Sequence, residues 1–270
     1  MAVSTSSYFS DSICGQTQVG ADFDVFDTST TPKYTVGLGF VRGDGAKFRY
    51  GHIGAIVAAG AVVATDVSES GQPSVIKAGA LVANLTKKGN ETMNPGAIGS
   101  RYMQLVITAT ADQFAGGYVT VNSGTGFGFT YHIRGNDATS AIVTGNTHLE
   151  LYEPVQVAID SNSQVSIAGC PYANLEGATA TDKVPAGVSL QNQSASSYGW
   201  LQTHGIVAAL QDVTIGTVGK PVFLSSNTTG AVSCVADALS STTGQTFPLL
   251  GYLVEAGSSA GYSLVYLQLE

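Results

Sequence analysis

The amino-acid sequence predicts an all-β fold, in which antiparallel β-barrel or β-sandwich modules are joined by Gly-rich turns and little helix is present. Short runs rich in Val, Ile, Tyr and Phe are separated by turn signals roughly every 8–15 residues, a spacing typical of all-β proteins. Glycine supplies 33 of the 270 residues. No window of about a dozen residues has apolar side chains at helical spacing between a cap and a stop.

The clearest predicted hairpin is the last, where strands at Leu249–Ala256 and Tyr262–Leu269 flank a turn at Gly257–Gly261. Side chains alternate between the two faces of a strand, and both faces of this hairpin are largely apolar. Such a strand suits a sheet that lies between a core and a neighbouring subunit. The hairpin therefore predicts self-association, which we expect to produce a homotrimer.

Two further hairpins are predicted, one from Gly117–Asn122 to Phe127–Ile133 and one from Tyr34–Val41 to Ala46–Tyr50. The glycines between these strands provide the positive φ angles that tight turns require. The Asp44–Gly45 dipeptide in the earlier hairpin is a strong turn signal. All three hairpins join strands that are close in sequence.

Membrane, secretion and cysteine signals together indicate a protein made in a cytoplasm. The most apolar stretch, Ile53–Thr65, has about 13 residues, whereas a spanning helix needs about 20; we expect two buried strands joined by a turn. Met1–Tyr8 has neither the basic start nor the apolar core of a secretory signal. Cys14, Cys170 and Cys234 are odd in number and far apart, which argues against a disulfide framework or a zinc knuckle.

The charge of the chain is low and unevenly distributed. Only 11% of the residues are charged, against about a quarter in an ordinary soluble domain. Residues 1–101 hold eight acidic and eight basic side chains, whereas 102–270 hold eleven acidic and three basic ones, so the second part carries the whole net charge of −8. This distribution argues against nucleic-acid binding, and a surface so poor in charge requires a partner to cover it.

The four histidines do not form a recognisable metal or catalytic site. His52, His132, His148 and His204 are isolated, without a second ligand at helical i+3 or i+4 spacing. His148 and Glu150 share a strand face and would make one corner of a site. We favour polar strand contacts for these histidines.

The remaining candidate sites are also weak. Asp22, Asp24 and Asp27 form the closest carboxylate group, but Lys33 occupies the twelfth position, where an EF-hand has its bidentate Glu. A solvated acidic stretch is therefore favoured over a calcium site. Neither a Gly-x-Ser-x-Gly elbow between a strand and a helix nor a dinucleotide fingerprint is present. We expect no enzymatic activity, no cofactor and no small-molecule substrate.

Trp200 is the only tryptophan and stands within the cluster Ser197–Gly205. An exposed aromatic-Gly-Trp cluster would be a sugar platform or a binding anchor. We favour a structural role, in which the indole closes one end of the C-terminal β unit.

Several stretches carry a resemblance to a known family: Val36–Gly39, Gly43–Tyr50, Phe114–Val121, Gly124–Ile133, Tyr198–Gly205, Gly251–Val254 and Leu267–Leu269. In composition and in the order of turns, they resemble β-rich virion proteins of tailed bacteriophages that decorate, or cement, the capsid. The resemblance spans most of the chain. It implies a non-enzymatic structural protein on the capsid exterior, often a trimer, that binds the major capsid protein and stabilises the head lattice.

The resemblance gives the uneven charge a purpose, with the balanced N-terminal third on the capsid and the acidic remainder facing water. Arg42, Lys47 and Arg49 are then the candidate capsid-contact residues, because they cluster around one predicted hairpin. Lys47 and Arg49 are two residues apart and share a strand face, while Arg42 opens the turn. The alternative interpretation is a solvated edge that prevents unwanted strand pairing.

Two seams rich in turn-forming or small polar residues divide the chain into three predicted segments. These are an N-terminal β segment with a capsid-contacting arm at 1–99, a central β segment at 100–190, and a C-terminal barrel-like module at 191–270. An alternative function is a tail, fibre or baseplate component with a receptor-binding role. Collagen-like or β-helical repeats would favour that alternative, and the sequence has none.

Overall fold

A computed structural model confirms the predicted all-β fold. All regular secondary-structure elements within the described residues are β-strands. Within this part of the chain no helix is long and apolar enough to cross a membrane. The residues that the structure describes are 24–65, 96–138, 146–160, 162–178, 184–212, 216–234, 248–257 and 261–270.

These ranges contain sixteen strands, numbered in chain order. They are β1 Thr28–Ser29, β2 Gly39–Val41, β3 Lys47–Ile53, β4 Val62–Thr65, β5 Tyr102–Val106, β6 Tyr118–Ser123, β7 Thr130–Asn136, β8 Asn146–Leu151, β9 Gln164–Ala168, β10 Leu175–Gly177, β11 Val184–Ser189, β12 Ser197–Leu210, β13 Pro221–Leu224, β14 Val232–Cys234, β15 Leu249–Glu255 and β16 Tyr262–Gln268.

The chain forms two compact units. A discontinuous unit contains residues 1–68 and 171–270, and an inserted unit contains residues 69–170. This grouping differs from the three consecutive segments expected from the sequence. The physical reason is that β3 and β4, in the first segment, take their hydrogen-bond partners from β10, β11 and β12, more than 100 residues later.

The discontinuous unit contains a closed ring of five strands in the order β3, β12, β11, β4, β10 and back to β3. All pairings in the ring are antiparallel except that of β10 with β3. Ile53, Val63, Leu175 and Leu201 share one buried cluster. Closing the ring removes free edges that would otherwise pair with other chains.

Strand β12 is the longest described strand, with 14 residues, and it links the ring to a further sheet. Its first half pairs with β1, β3 and β11, and its second half pairs with β16. From β16 the sheet continues through β15 and β13 to β14. A register shift between Gln202 and His204 marks the change of partner, as expected where a bulge bends a strand.

Trp200 is buried, as we favoured, but its surroundings differ from the expected end of the C-terminal β unit. Its ring lies 5.3 Å from that of Tyr50, 5.5 Å from that of Tyr34 and 6.2 Å from that of Phe40, measured between centroids. The cause is the pairing of β12 with β3, which sets Trp200 directly opposite Tyr50. The indole therefore joins the N-terminal residues to the later strand.

The inserted unit is a five-stranded antiparallel sheet in the order β5, β8, β7, β6, β9. One face of this sheet is apolar and buried, and Phe114, Leu105, Ile133, Leu149 and Ile167 belong to its core. The other face carries polar and aromatic side chains. This alternation is typical of an antiparallel sheet with one solvated face.

All three predicted hairpins are present, as β15 with β16, β6 with β7, and β2 with β3. The expectation of two strands within 53–65 is wrong. That stretch contains the last residue of β3, then turns and a single bridge at Val57, and only then strand β4. The apolar residues around Ala58 form a turn and not a strand. This turn forms hydrogen bonds with β11 and β12.

Replacing Trp200 with Ala is expected to lower the free energy of unfolding of the discontinuous unit by about 3–5 kcal/mol, because the buried indole would leave a cavity in the aromatic cluster. Urea unfolding monitored by far-ultraviolet circular dichroism measures the change. Phe26→Ala in the same unit removes a ring that is 55% exposed and should change stability by less than about 0.5 kcal/mol. Equal effects of the two substitutions would contradict a central role for Trp200.

Candidate assembly surface

Exposed apolar side chains cover the outer face of the sheet formed by β12, β16 and β15. Six of them are between 37% and 56% exposed. Isolated exposed apolar residues are normal, but a contiguous group marks an interaction site. We call this group the apolar sheet face, and it consists of Ile206, Ala208, Leu249, Tyr252, Val254, Tyr262, Leu264 and Tyr266.

Strand register makes these side chains contiguous. Tyr266 lies between Ile206 on one neighbouring strand and Tyr252 on the other, and Leu264 lies opposite Ala208. Directly opposed residues of an antiparallel pair have Cβ atoms about 4.5–5.5 Å apart. The face is therefore a continuous surface across three strands.

The opposite side of the same sheet is the inner one. Val207, Leu253, Val265 and Leu267 alternate with the exposed residues and are buried in one core cluster. The expectation that both faces of the last hairpin are apolar is therefore confirmed, with one face buried within the chain and the other exposed. The burial of the inner residues fixes the register, because a slip of one residue would exchange the two faces.

The margins of the apolar sheet face are polar, whereas its centre carries no charge. Glu255 is the only charged residue within strands β12, β13, β15 and β16, and it lies opposite Leu264. At the other end, Tyr266 Oη lies 3.1 Å from His204 Nε2. An uncharged centre with a polar rim is the usual composition of a protein interface.

Arg42, one of the three predicted capsid-contact residues, makes its side-chain contacts within its own hairpin. Arg42 Nε donates to both carboxylate oxygens of Asp44 at 3.0 Å, and its guanidinium lies over the Phe48 ring, 5.3 Å from the centroid. The hydrogen bond from Arg42 holds the pKa of Asp44 below its ordinary value. Arg42 thus stabilises the turn before β3.

Arg49 is committed to contacts within the chain. Its Nε donates to Glu270 Oε1 at 2.7 Å, and its Nη1 donates to the carbonyl of Gly37 at 3.0 Å. Tyr172 donates to the same Glu270 oxygen at 2.8 Å. Burial alone would raise the pKa of Glu270, but the hydrogen bonds from Tyr172 and Arg49 outweigh burial and keep it below its ordinary value.

Lys47 differs from the two arginines. It occupies the same face of β3 as Arg49, as the sequence predicts, and it is partly exposed. Among the described residues Lys47 has no ion-pair partner. Of the three predicted capsid-contact residues, Lys47 therefore has its charge most available for a partner.

His148 and Glu150 do share one side of the sheet, and both line a cavity of about 290 Å³ in the inserted unit. His148 Nδ1 lies 3.5 Å from Asp137 Oδ2, and Glu150 accepts a hydrogen bond from Arg134 at 3.1 Å. Within the described ranges, no group of three His, Cys, Asp or Glu side chains is arranged to hold a metal ion.

His132 lies in a row of aromatic rings on the exposed face of the inserted unit. The Tyr118 and His132 centroids are 4.9 Å apart, and the His132 and Tyr152 centroids are 4.7 Å apart, with nearly parallel planes. The tyrosines are 44% and 42% exposed. The sequence did not single out this row, because Tyr152 lies beyond β8 and only the pairing of β8 with β7 brings it to His132.

The other candidate site residues make contacts within the described part of the chain. Asp24 accepts a hydrogen bond from the Phe26 amide at 2.9 Å, and Asp27 forms an ion pair with Lys33. His52 packs against Tyr198, and burial lowers the pKa of His52. Cys170 and Cys234 are both buried. Cys14 and Asp22 lie outside the described residues.

Replacing Arg49 with Met is expected to lower the free energy of unfolding by about 1–2 kcal/mol at pH 7, because Glu270 loses its cation and the Gly37 carbonyl loses a donor. The matched substitution Arg42→Met, at an exposed pair, should cost less than about 0.5 kcal/mol. Urea titrations of both variants measure these values. A larger loss for Arg42→Met than for Arg49→Met would contradict the structural role of Arg49.

The same variants differ in their response to acid. The pKa of Glu270 is depressed in the folded chain, so its stabilising effect is complete above the ordinary carboxyl pKa and is lost as pH falls through the folded value. Without Arg49 this depression is smaller, so the acid-induced loss of stability should be smaller than in the unmodified chain. Urea titrations between pH 7 and pH 3 test the difference, and parallel curves would contradict it.

No protein-family profile, curated protein or solved structure matches this chain. Any functional assignment therefore depends on the residues themselves. Among these, the apolar sheet face is the feature that demands a partner, since exposed apolar surface of this kind is unfavourable in water.

Proposed function

We propose that this chain is a structural, non-enzymatic virion protein that binds the outside of a bacteriophage capsid and stabilises the head lattice. The observation that carries the proposal is the apolar sheet face of a chain with only 11% charged residues. A protein that works within a permanent assembly covers such a face, because obligate interfaces are more apolar than free surfaces. The resemblance to capsid decoration proteins adds to this argument.

The fold supports a load-resisting role. Five strands of the discontinuous unit form a closed ring, and β12 continues from the ring into the sheet that carries the apolar sheet face. Interstrand hydrogen bonds therefore connect the ring directly to that face. A head lattice under internal pressure is reinforced by modules with few free edges and large contacts.

Contact with the major capsid protein is proposed to involve the surface around Lys47. This residue lies in the part of the chain with balanced charge, whereas residues 102–270 hold eleven acidic and three basic side chains. A cation that has no ion-pair partner within the described residues contributes to steering and specificity when it meets a complementary surface. The proposed partners are the chain itself and the capsid protein, with no cofactor, nucleic acid, membrane or small-molecule substrate.

A tail, fibre or baseplate role with receptor binding remains the second candidate, and one observation favours it. Tyr118, His132 and Tyr152 form a partly exposed aromatic row. Tyrosine is enriched at binding surfaces because its ring is apolar and its hydroxyl forms hydrogen bonds. In this alternative the inserted unit would contact a host-surface receptor.

Fractionation of dissociated virions separates the two candidates. We expect the protein to remain with DNA-filled heads, and not with tails, in antibody-probed gradient fractions. Recovery with tails alone would reject the capsid proposal and favour the receptor-binding one. Absence from every virion fraction would reject both.

A charge substitution tests the proposed capsid contact. Lys47→Ser is expected to reduce retention on heads stripped of this protein by about 3–10-fold at low salt, because a contact charge near the rim acts mainly on association. Lys220→Ser, which removes an exposed lysine elsewhere in the discontinuous unit, is the control and should retain binding. Equal retention of both variants and the unmodified chain would remove the case for a docking surface at Lys47.

A further inference from the structure

We propose that the apolar sheet face is covered by the same face of a second copy of this chain, related to the first by a two-fold axis. The inference deepens the proposed function and rests on it, since it assigns a partner to the surface that an assembly must cover. Lys47 lies opposite His204, at the margin of this face and not within it.

The exposed area of the face is close to what a stable pair requires. The six most exposed side chains leave roughly 500–600 Å² uncovered in total, from their fractional exposures and ordinary side-chain areas. The partly exposed Tyr266 and Phe223, with Ala208, extend the same surface. A specific interface buries about 600–1,000 Å² on each partner, so this single face approaches what a dimer requires.

The charge of the face selects the same chain as its occupant. The chain has a net charge of −8, and two copies that meet through an uncharged surface keep their like charges apart, where salt screens the remaining repulsion. Glu255, at the margin, is the only charged residue within strands β12, β13, β15 and β16. A partner recognised by charge would instead need complementary groups, and the face offers none.

Two-fold packing also agrees with the composition of the surface. An isologous interface uses the same patch on both copies, so the apolar sheet face would meet an equally apolar surface. Two such sheets stack about 10 Å apart with their strands inclined by about 30°. The trimer expected from the sequence would require two different complementary patches on each chain. We therefore infer a dimer as the building unit.

Single substitutions test the pairing in the full chain without capsid. Ile206→Lys and Tyr252→Lys place a cation on either side of the central Tyr266, and each should weaken dimerisation at least about 30-fold, as expected for a central interface residue. Val184→Lys is the matched control, because Val184 is a β-branched strand residue that is 61% exposed on β11, outside the face. Near-ultraviolet circular dichroism confirms that each variant is folded.

Sedimentation equilibrium between about 1 and 100 μM protein gives the readout. We expect the unmodified chain and Val184→Lys to have twice the chain mass of 27.6 kDa, and the two face variants to have the single-chain mass at low concentration. A monomer throughout, a particle of three chains, or a dimer unaffected by both face variants would overturn the inference.

Head binding distinguishes failure of this inference from failure of the proposed function. If the unmodified chain is a monomer in solution but still binds purified heads, the pairing is wrong and the capsid role stands. If the chain forms the expected dimer but does not bind heads, the pairing stands and the capsid role is wrong.

Discussion

The structure depends most on the hydrogen-bonded pairing of β12 with β3. This pairing closes the five-strand ring, sets Trp200 opposite Tyr50, and holds β12 in the direction in which it continues to β16. Each buried backbone group that lost its partner would carry a desolvation cost of about 1–3 kcal/mol. The ring and the aromatic cluster are therefore consequences of one long-range contact.

The sequence predicted the features that arise from neighbouring residues. The fold class and the three hairpins follow from alternation and turn chemistry, as in the pairing of Tyr262–Gln268 with Leu249–Glu255. The apolar character of the last hairpin was also visible, because period-two alternation assigns each side chain to a face. The sequence did not show which face of the hairpin is buried within the chain, because that depends on the position of the core.

Long-range pairings could not be predicted, because no local signal specifies a partner strand that is more than 100 residues away. The ion pair of Arg49 with Glu270 joins residues 221 positions apart, so the sequence alone did not show that the charge of Arg49 is paired within the chain. The indole of Trp200 packs against Tyr34, Phe40 and Tyr50. The sequence could not predict these neighbours, because they lie more than 100 residues before Trp200. The sequence predicts two strands within 53–65 because apolar residues in a buried turn have the same composition as a strand.

The chain leaves the described part of the discontinuous unit at Thr65 and returns to it at Pro171, and these two residues are in contact. Thr65, the last residue of β4, is paired with Leu175 of β10, and its hydroxyl donates to the Pro171 carbonyl. Antiparallel partners are only about 5 Å apart, which is the separation that a short turn bridges. The ring can therefore accept segments of different length at this point without a change in its own pairing, as at other sites of domain insertion. This junction offers a position for displaying a foreign domain on the discontinuous unit.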